Sequence, residues 1–185
     1  DLYDISYMPV TLPYREAEAP LGVHSKFRHS DEEASAGYYR VLLKDYNINV
    51  ELTATERCGI QRYTFPKAQS AVFLNLKKAM NWDFTQDSHI EVVDSCTIQG
   101  YRFSDGWARG QRVFFRTRFS KPFRSSEIDT TAIIQDGKTI GTAYVARFNF
   151  DTTDGEEIVL CTALSGVSME GAAGNLAAEA PHNDF

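Results

Sequence analysis

The sequence predicts an all-β fold, an antiparallel β-sandwich with a short C-terminal helix. Three observations carry this. Short apolar or alternating runs recur along most of the 185 residues, separated by turn residues. Helical spacing occurs once, from Ser168 through Glu179. Aromatic side chains, which suit pleated and half-buried surfaces, include twelve Phe and nine Tyr. A parallel α/β fold would need helices between its strands, and the chain has none in those places.

The elements follow in order. Ile5 to Met8 reads as a strand stopped by Pro9. Thr11 to Ala36 carries Pro13, Pro20 and Gly22, so it reads as a long loop with a short strand near Val23 to Phe27. Tyr38 to Leu43 and Asn49 to Arg57 are strands joined at Asp45-Tyr46-Asn47. Cys58-Gly59 reads as a tight connection before Ile60 to Phe65. Ala71 to Leu76 is an apolar strand, and the polar stretch Lys77 to Asp87 reads as a loop. Ile90 to Val93 and Thr97 to Arg102 flank the turn Asp94-Ser95. Arg112 to Phe119 alternates, with Val113, Phe115, Thr117 and Phe119 on one face. Ile128 to Ile134 and Thr139 to Phe150 surround Gln135-Asp136-Gly137-Lys138, a hairpin turn with glycine available for positive φ. Asp154-Gly155 turns into Glu157 to Leu164, and Ser168 is placed to cap the helix. Residues 1–167 therefore read as one sandwich domain and 168–185 as the start of a helical linker.

Charge and composition exclude several classes. The formal net charge is −6, the wrong sign for a nucleic-acid footprint. The basic residues Arg112, Arg116, Arg118, Lys121 and Arg124 alternate with apolar ones, as on a solvated strand face. No apolar run is long enough for a transmembrane helix. The three cysteines, Cys58, Cys96 and Cys161, lack metal-site spacing and read as buried thiols. His24 and His29 would fall on opposite faces of a strand, and His89 and His182 are solitary. Asp31-Glu32-Glu33 and Glu156-Glu157 read as solvated charge clusters first. Neighbouring strand carboxylates cannot converge on one bond. No phosphate loop and no Gly-x-Ser-x-Gly elbow is present. The residues thus offer no catalytic set and no metal set. Trp82, Tyr101 and Trp107 lie in or beside turns and are candidates for stacking on sugars. The alternative for Trp107 is a ring that plugs the sandwich edge, since Trp is usually largely buried.

Several segments in sequence order resemble the N-terminal domain of glycoside hydrolase family 92, the exo-acting α-mannosidases. They are Asp4-Ile5-Ser6-Tyr7-Met8-Pro9-Val10; Phe27-Arg28-His29-Ser30 leading to Gly37-Tyr38-Tyr39; Glu51-Leu52-Thr53-Ala54-Thr55 with Gly59 and Arg62-Tyr63-Thr64-Phe65-Pro66; Gly100-Tyr101 with Gly106-Trp107-Ala108 and Gln111; Phe119-Ser120-Lys121-Pro122-Phe123; and Phe150-Asp151 through Gly155-Glu156-Glu157 to Val167-Ser168-Met169-Glu170-Gly171-Ala172 and Asn175-Leu176. The resemblance implies a supersandwich-like domain joined by a helical linker to an (α/α)6-barrel catalytic domain of the same protein. It implies calcium-dependent, inverting release of mannose from α-mannosides such as N-glycan mannose, with the calcium and both carboxylates on the barrel. It further implies a bacterial protein exported to the periplasm or the cell surface. The chain opens on Asp1 without a methionine or leader and stops at Phe185 just past the helix, so both ends read as cuts inside a longer protein. No catalytic residue carries over, and no metal or cofactor is expected in this chain. Asp1, Leu2 and Tyr3 would follow the family's substrate-contacting loop, which makes them candidates for a site margin. The alternative function is a lectin-like carbohydrate-binding module without hydrolase activity.

Overall fold

The computed structural model describes residues 4–14, 23–77 and 82–185. It contains twelve strands: β1 (Ser6–Thr11), β2 (Glu32–Ser35), β3 (Tyr38–Leu43), β4 (Ile48–Ala54), β5 (Cys58–Phe65), β6 (Ala68–Asn75), β7 (Phe84–Asp94), β8 (Thr97–Asp105), β9 (Gln111–Phe119), β10 (Ser125–Gln135), β11 (Lys138–Thr152) and β12 (Glu156–Ser165). One helix, α1 (Met169–Glu179), follows. A four-stranded sheet runs β1-β6-β11-β10, and an eight-stranded sheet runs β2-β3-β4-β5-β12-β9-β8-β7. Every pairing described is antiparallel. The antiparallel sandwich with a short C-terminal helix is therefore what the chain forms.

Alternation decides which face each strand buries. Phe115, Thr117 and Phe119 of β9 and Ala146, Phe148 and Phe150 of β11 are buried, and their sequence neighbours are more exposed. Phe119 meets Phe148 at 5.4 Å and Phe150 at 5.8 Å between ring centroids, so these rings join the two sheets. Gly100 of β8 has no room for a side chain: a Cβ there would lie 1.9 Å from the His89 carbonyl oxygen. The β10–β11 turn places Asp136 at φ 51° and Gly137 at φ 74°, the two positive values that a twisted two-residue hairpin requires.

The helix covers the other face of the large sheet. Cys58, Val159, Cys161 and Ala163 point away from the main core and pack with Leu176 and Ala180. The Ser168 hydroxyl caps α1 by accepting the Gly171 N–H at 3.0 Å. At the far end Glu179 accepts from Thr55 Oγ1 at 2.6 Å and from the Arg57 N–H at 2.8 Å, and it pairs with the Arg57 guanidinium. These bonds hold the Glu179 carboxyl down at about 2. A depressed carboxyl stabilises the fold above its unfolded value of about 4.3, and that contribution disappears as pH falls toward the folded value. Denaturation midpoints should therefore favour the native chain over Glu179→Gln at neutral pH, and the two should converge between about pH 4 and pH 2. A gap that persists unchanged to pH 2 would show that ionisation is not what anchors the helix.

The structure departs from the sequence reading in six places. Pro9 does not stop the first strand: it pairs with Val72 on one side of β1, which runs on to Thr11, and an edge strand tolerates the missing N–H. Val23 to Arg28 is irregular and carries no strand. Glu32–Ser35 is a strand despite its charge, because Glu32 pairs with Val41 and Ser35 with Tyr38 at the sheet edge. Cys58 and Gly59 lie inside β5, and the tight connection is Thr55 to Arg57, where Thr55 and Cys58 exchange bonds. The stretch read as a loop up to Asp87 is β-strand from Phe84 onward. Cys96 is only half-buried in the β7–β8 turn, whereas Cys58 and Cys161 are buried as expected. Among the described residues no helix is long and apolar enough to cross a membrane.

Candidate functional site

The sequence-predicted aromatic residues separate into two places. β7 and β8 pair with Phe84 opposite Asp105. The residues just before β7 and just after β8 therefore emerge at the same sheet end, and Trp82 and Trp107 meet there. Their ring centroids lie 5.8 Å apart at an interplanar angle of 32°. Both stay in solvent, with relative exposures of 62% for Trp82 and 80% for Trp107. Trp107 therefore does not plug the sandwich edge.

The backbone beneath both rings is pinned. Asp83, next to Trp82, is buried and receives Arg102 Nη2 at 3.2 Å. The same guanidinium donates to Asp4 Oδ1 at 2.5 Å, to Thr85 Oγ1 at 3.0 Å and to the Leu76 carbonyl at 3.2 Å. On the Trp107 side, Asp105 accepts the Gly110 N–H on one oxygen and the Gln86 amide on the other. Gly110 sits at φ 63°, in the left-handed region that favours glycine, and this lets the turn fold back onto Asp105. Arg102 thus ties the entry to β1 to the entry to β7. Asp1, Leu2 and Tyr3 lie outside the described residues.

Tyr101 is not part of this pair. Its ring stacks on Phe103 at 4.4 Å and on His89 at 5.7 Å, on the face of β8 away from the core. Its hydroxyl donates to Asp87 Oδ2 at 3.1 Å. Burial and the Asp87 carboxylate raise its pKa. The phenol is committed within the sheet, and no ring contact joins it to either tryptophan.

The acidic runs are tied to basic side chains. Asp31 pairs with Lys44 at 2.7 Å, Glu32 with His29 at 2.6 Å, Glu33 with Arg40 at 3.3 Å and Glu156 with Lys121 at 2.5 Å. Hydrogen bonds from Lys44 to Asp31, from Tyr39 to Glu32 and from Lys121 to Glu156 hold these carboxyls below their usual range. Among the described residues no group of three or more His, Cys, Asp or Glu side chains could hold a metal ion. Burial pushes the Cys58 and Cys161 thiols up, away from nucleophilic thiolate. Sequence reasoning missed Arg102 and its two carboxylates, and also Arg109 in the Trp107 turn.

Fold and site together define a supersandwich-like β domain that displays aromatic rings at one sheet end. The glycosyl hydrolase family 92 N-terminal domain model matches residues 1–165, and the chain belongs to that family. Among solved structures, it is similar to a family 92 α-mannosidase from Bacteroides thetaiotaomicron in complex with mannoimidazole. That match has a TM-score of 0.84 and 28% identity, and covers 96% of this chain and 25% of the other. A second structure of the same enzyme gives a TM-score of 0.83 at 28% identity, covering 96% and 26%. A family 92 inverting mannosidase from Bacteroides thetaiotaomicron VPI-5482 shares the fold, with a TM-score of 0.77, 22% identity and coverage of 97% and 24%. The chain spans about a quarter of the length of these proteins. Among curated proteins there is no match.

Proposed function

We propose that this domain is the N-terminal sandwich of an exo-α-mannosidase and acts by buttressing and partly shaping an active site carried by the rest of that protein. The observation that carries this is the family match over residues 1–165, together with the likeness to an α-mannosidase described with mannoimidazole. The chemistry of the chain agrees. Inverting glycoside hydrolysis needs a carboxylic acid for the leaving oxygen and a carboxylate for water, about 6.5–9.5 Å apart. The acid of such a pair needs a raised pKa. Asp31, Glu51, Glu156 and Glu179 are all shifted the other way by their cationic or hydrogen-bonding partners. The acid, the base and a calcium ion would then belong to an (α/α)6 barrel in the same polypeptide. The substrates would be α-mannosides such as N-glycan mannose, and the protein would be exported by a bacterium.

The test compares two proteins on an aryl α-mannoside. The full-length protein should turn it over with inversion at the anomeric carbon, followed by NMR, and should lose activity to a calcium chelator. The 185-residue chain alone should be inactive. Turnover by the chain alone would overturn the reading, as would a full-length protein that ignores α-mannosides.

A further inference from the structure

We propose that Trp82, Trp107 and Arg109 form a carbohydrate-binding surface of this domain itself, taking one pyranoside unit of an α-mannoside glycan against the indole faces. This goes beyond buttressing a catalytic partner, because the domain would hold sugar on its own residues. Three observations carry it. First, the two indoles come from separate turns and converge to 5.8 Å, yet remain 62% and 80% exposed. Large aromatic side chains gain most by burial, so a converged pair left in solvent keeps apolar surface available for a ligand. Second, the pair is set on a fixed base. Arg102 holds Asp83 beside Trp82, and Asp105 holds both Gly110 and Gln86, so the residue next to one ring and the turn that carries the other are fixed before any ligand arrives. Preorganisation of this kind lowers the entropic cost of binding a small ligand.

Third, the rim around the rings carries the donors that a sugar needs. Here Ala108, Arg109 and Gly110 around Trp107 are exposed, and a carboxylate lies beneath the turn. Arg109 makes no hydrogen bond or ion pair with another described residue. Its guanidinium has five N–H donors and no acceptor, which matches the hydroxyl oxygens of a pyranose. A sugar ring offers a C–H face to the indoles and hydroxyls at its rim, which is the same division of apolar centre and polar edge.

The chain contains two tryptophans in all, so emission excited selectively from tryptophan, and not from its nine tyrosines, reports on this pair alone. The experiment titrates the 185-residue chain with a mannobiose and with methyl α-mannoside while following emission. A saturable change with a Kd on the order of millimolar is expected. Trp107→Ala should weaken it on the order of tenfold or more, with partial recovery in Trp107→Phe. Because Trp107 is exposed, both variants should melt with the parent chain, and melting curves would confirm it. Emission unmoved by sugar at about 50 mM would overturn the proposal. So would binding that Trp107→Ala leaves intact. Acrylamide quenching supplies a further arm. Tryptophans that are open in the 185-residue chain but shielded in the full-length protein would assign the pair to contact between domains, and that result also overturns the proposal. Failure here leaves hydrolysis by the full-length protein untouched, so the two readings fall separately.

Discussion

Arg102→Met is expected to lower the stability of the chain by about 3–5 kcal/mol, the usual cost of removing one partner from a buried ion pair. The Arg102 side chain is fully buried, and so, nearly, is its partner Asp83. The guanidinium satisfies Asp83, Asp4, Thr85 and the Leu76 carbonyl at once. Without it the buried Asp83 carboxylate loses the guanidinium that offsets its desolvation. Arg102→Lys should recover little, because one ammonium cannot span four acceptors that a planar fork reaches. Urea midpoints measure the loss, at an unchanged slope. Adding Asp83→Leu to Arg102→Met should restore part of it, since removing both members of a buried pair is far less costly than removing one. A single variant within about 1 kcal/mol of the parent would show that the network contributes little to holding this sheet end. The same variant should disturb the fluorescence of Trp82, whose neighbour Asp83 would lose its anchor.

The contrast between this network and the strands around it explains what the sequence reveals. The alternation of Phe115, Thr117 and Phe119, and of Ala146, Phe148 and Phe150, is a period-2 signal, and every one of these residues is buried. Such faces are legible because burial of apolar area sets them one strand at a time. The start of β7 is different. Phe84-Thr85-Gln86-Asp87 has no apolar period, and polar bonds hold it. Thr85 donates to the Leu76 carbonyl at 2.8 Å, and Asp87 accepts the Thr142 N–H at 2.9 Å. These side chains reach β11 in the other sheet and the end of β6, and bonding of that kind leaves no periodic trace. Arg102 did leave a trace, since it shares the inward parity of Ile98 and Ser104 and a charge rarely points inward unless paired. Which acids would meet it depended on strand order. The meeting of Trp82 with Trp107 likewise rests on the Phe84–Asp105 register, which includes a shift between Thr85 and Asp87. Register of this kind is a property of two strands together. The family resemblance was legible because it rests on short ordered motifs, and those survive where contacts cannot be read.

Phe148→Ala is expected to cost about 3–5 kcal/mol, the range for deleting a fully buried ring. Phe148 has no solvent exposure. It sits on β11 opposite Val72 of β6, and its ring contacts Phe119 at 5.4 Å and Phe123 at 5.2 Å. Phe119 belongs to β9 of the large sheet, so this contact joins the two layers of the sandwich. The loss should exceed that of an equal deletion inside one sheet, because the backbone ladders on either side prevent collapse into the cavity. Phe150 shares the Phe119 contact at 5.8 Å. The double variant Phe148→Ala with Phe150→Ala should therefore fall short of the sum of the two singles, because each deletion already removes part of the other's packing. Strict additivity in urea midpoints would mean that Phe119 does not couple them. The position of the ring also separates stability from binding. Phe148 lies in the core between the layers, whereas Trp82 and Trp107 stand on turns at the sheet end. A folded Phe148→Ala chain should bind mannobiose as the parent does, while Trp107→Ala should melt as the parent does and bind less.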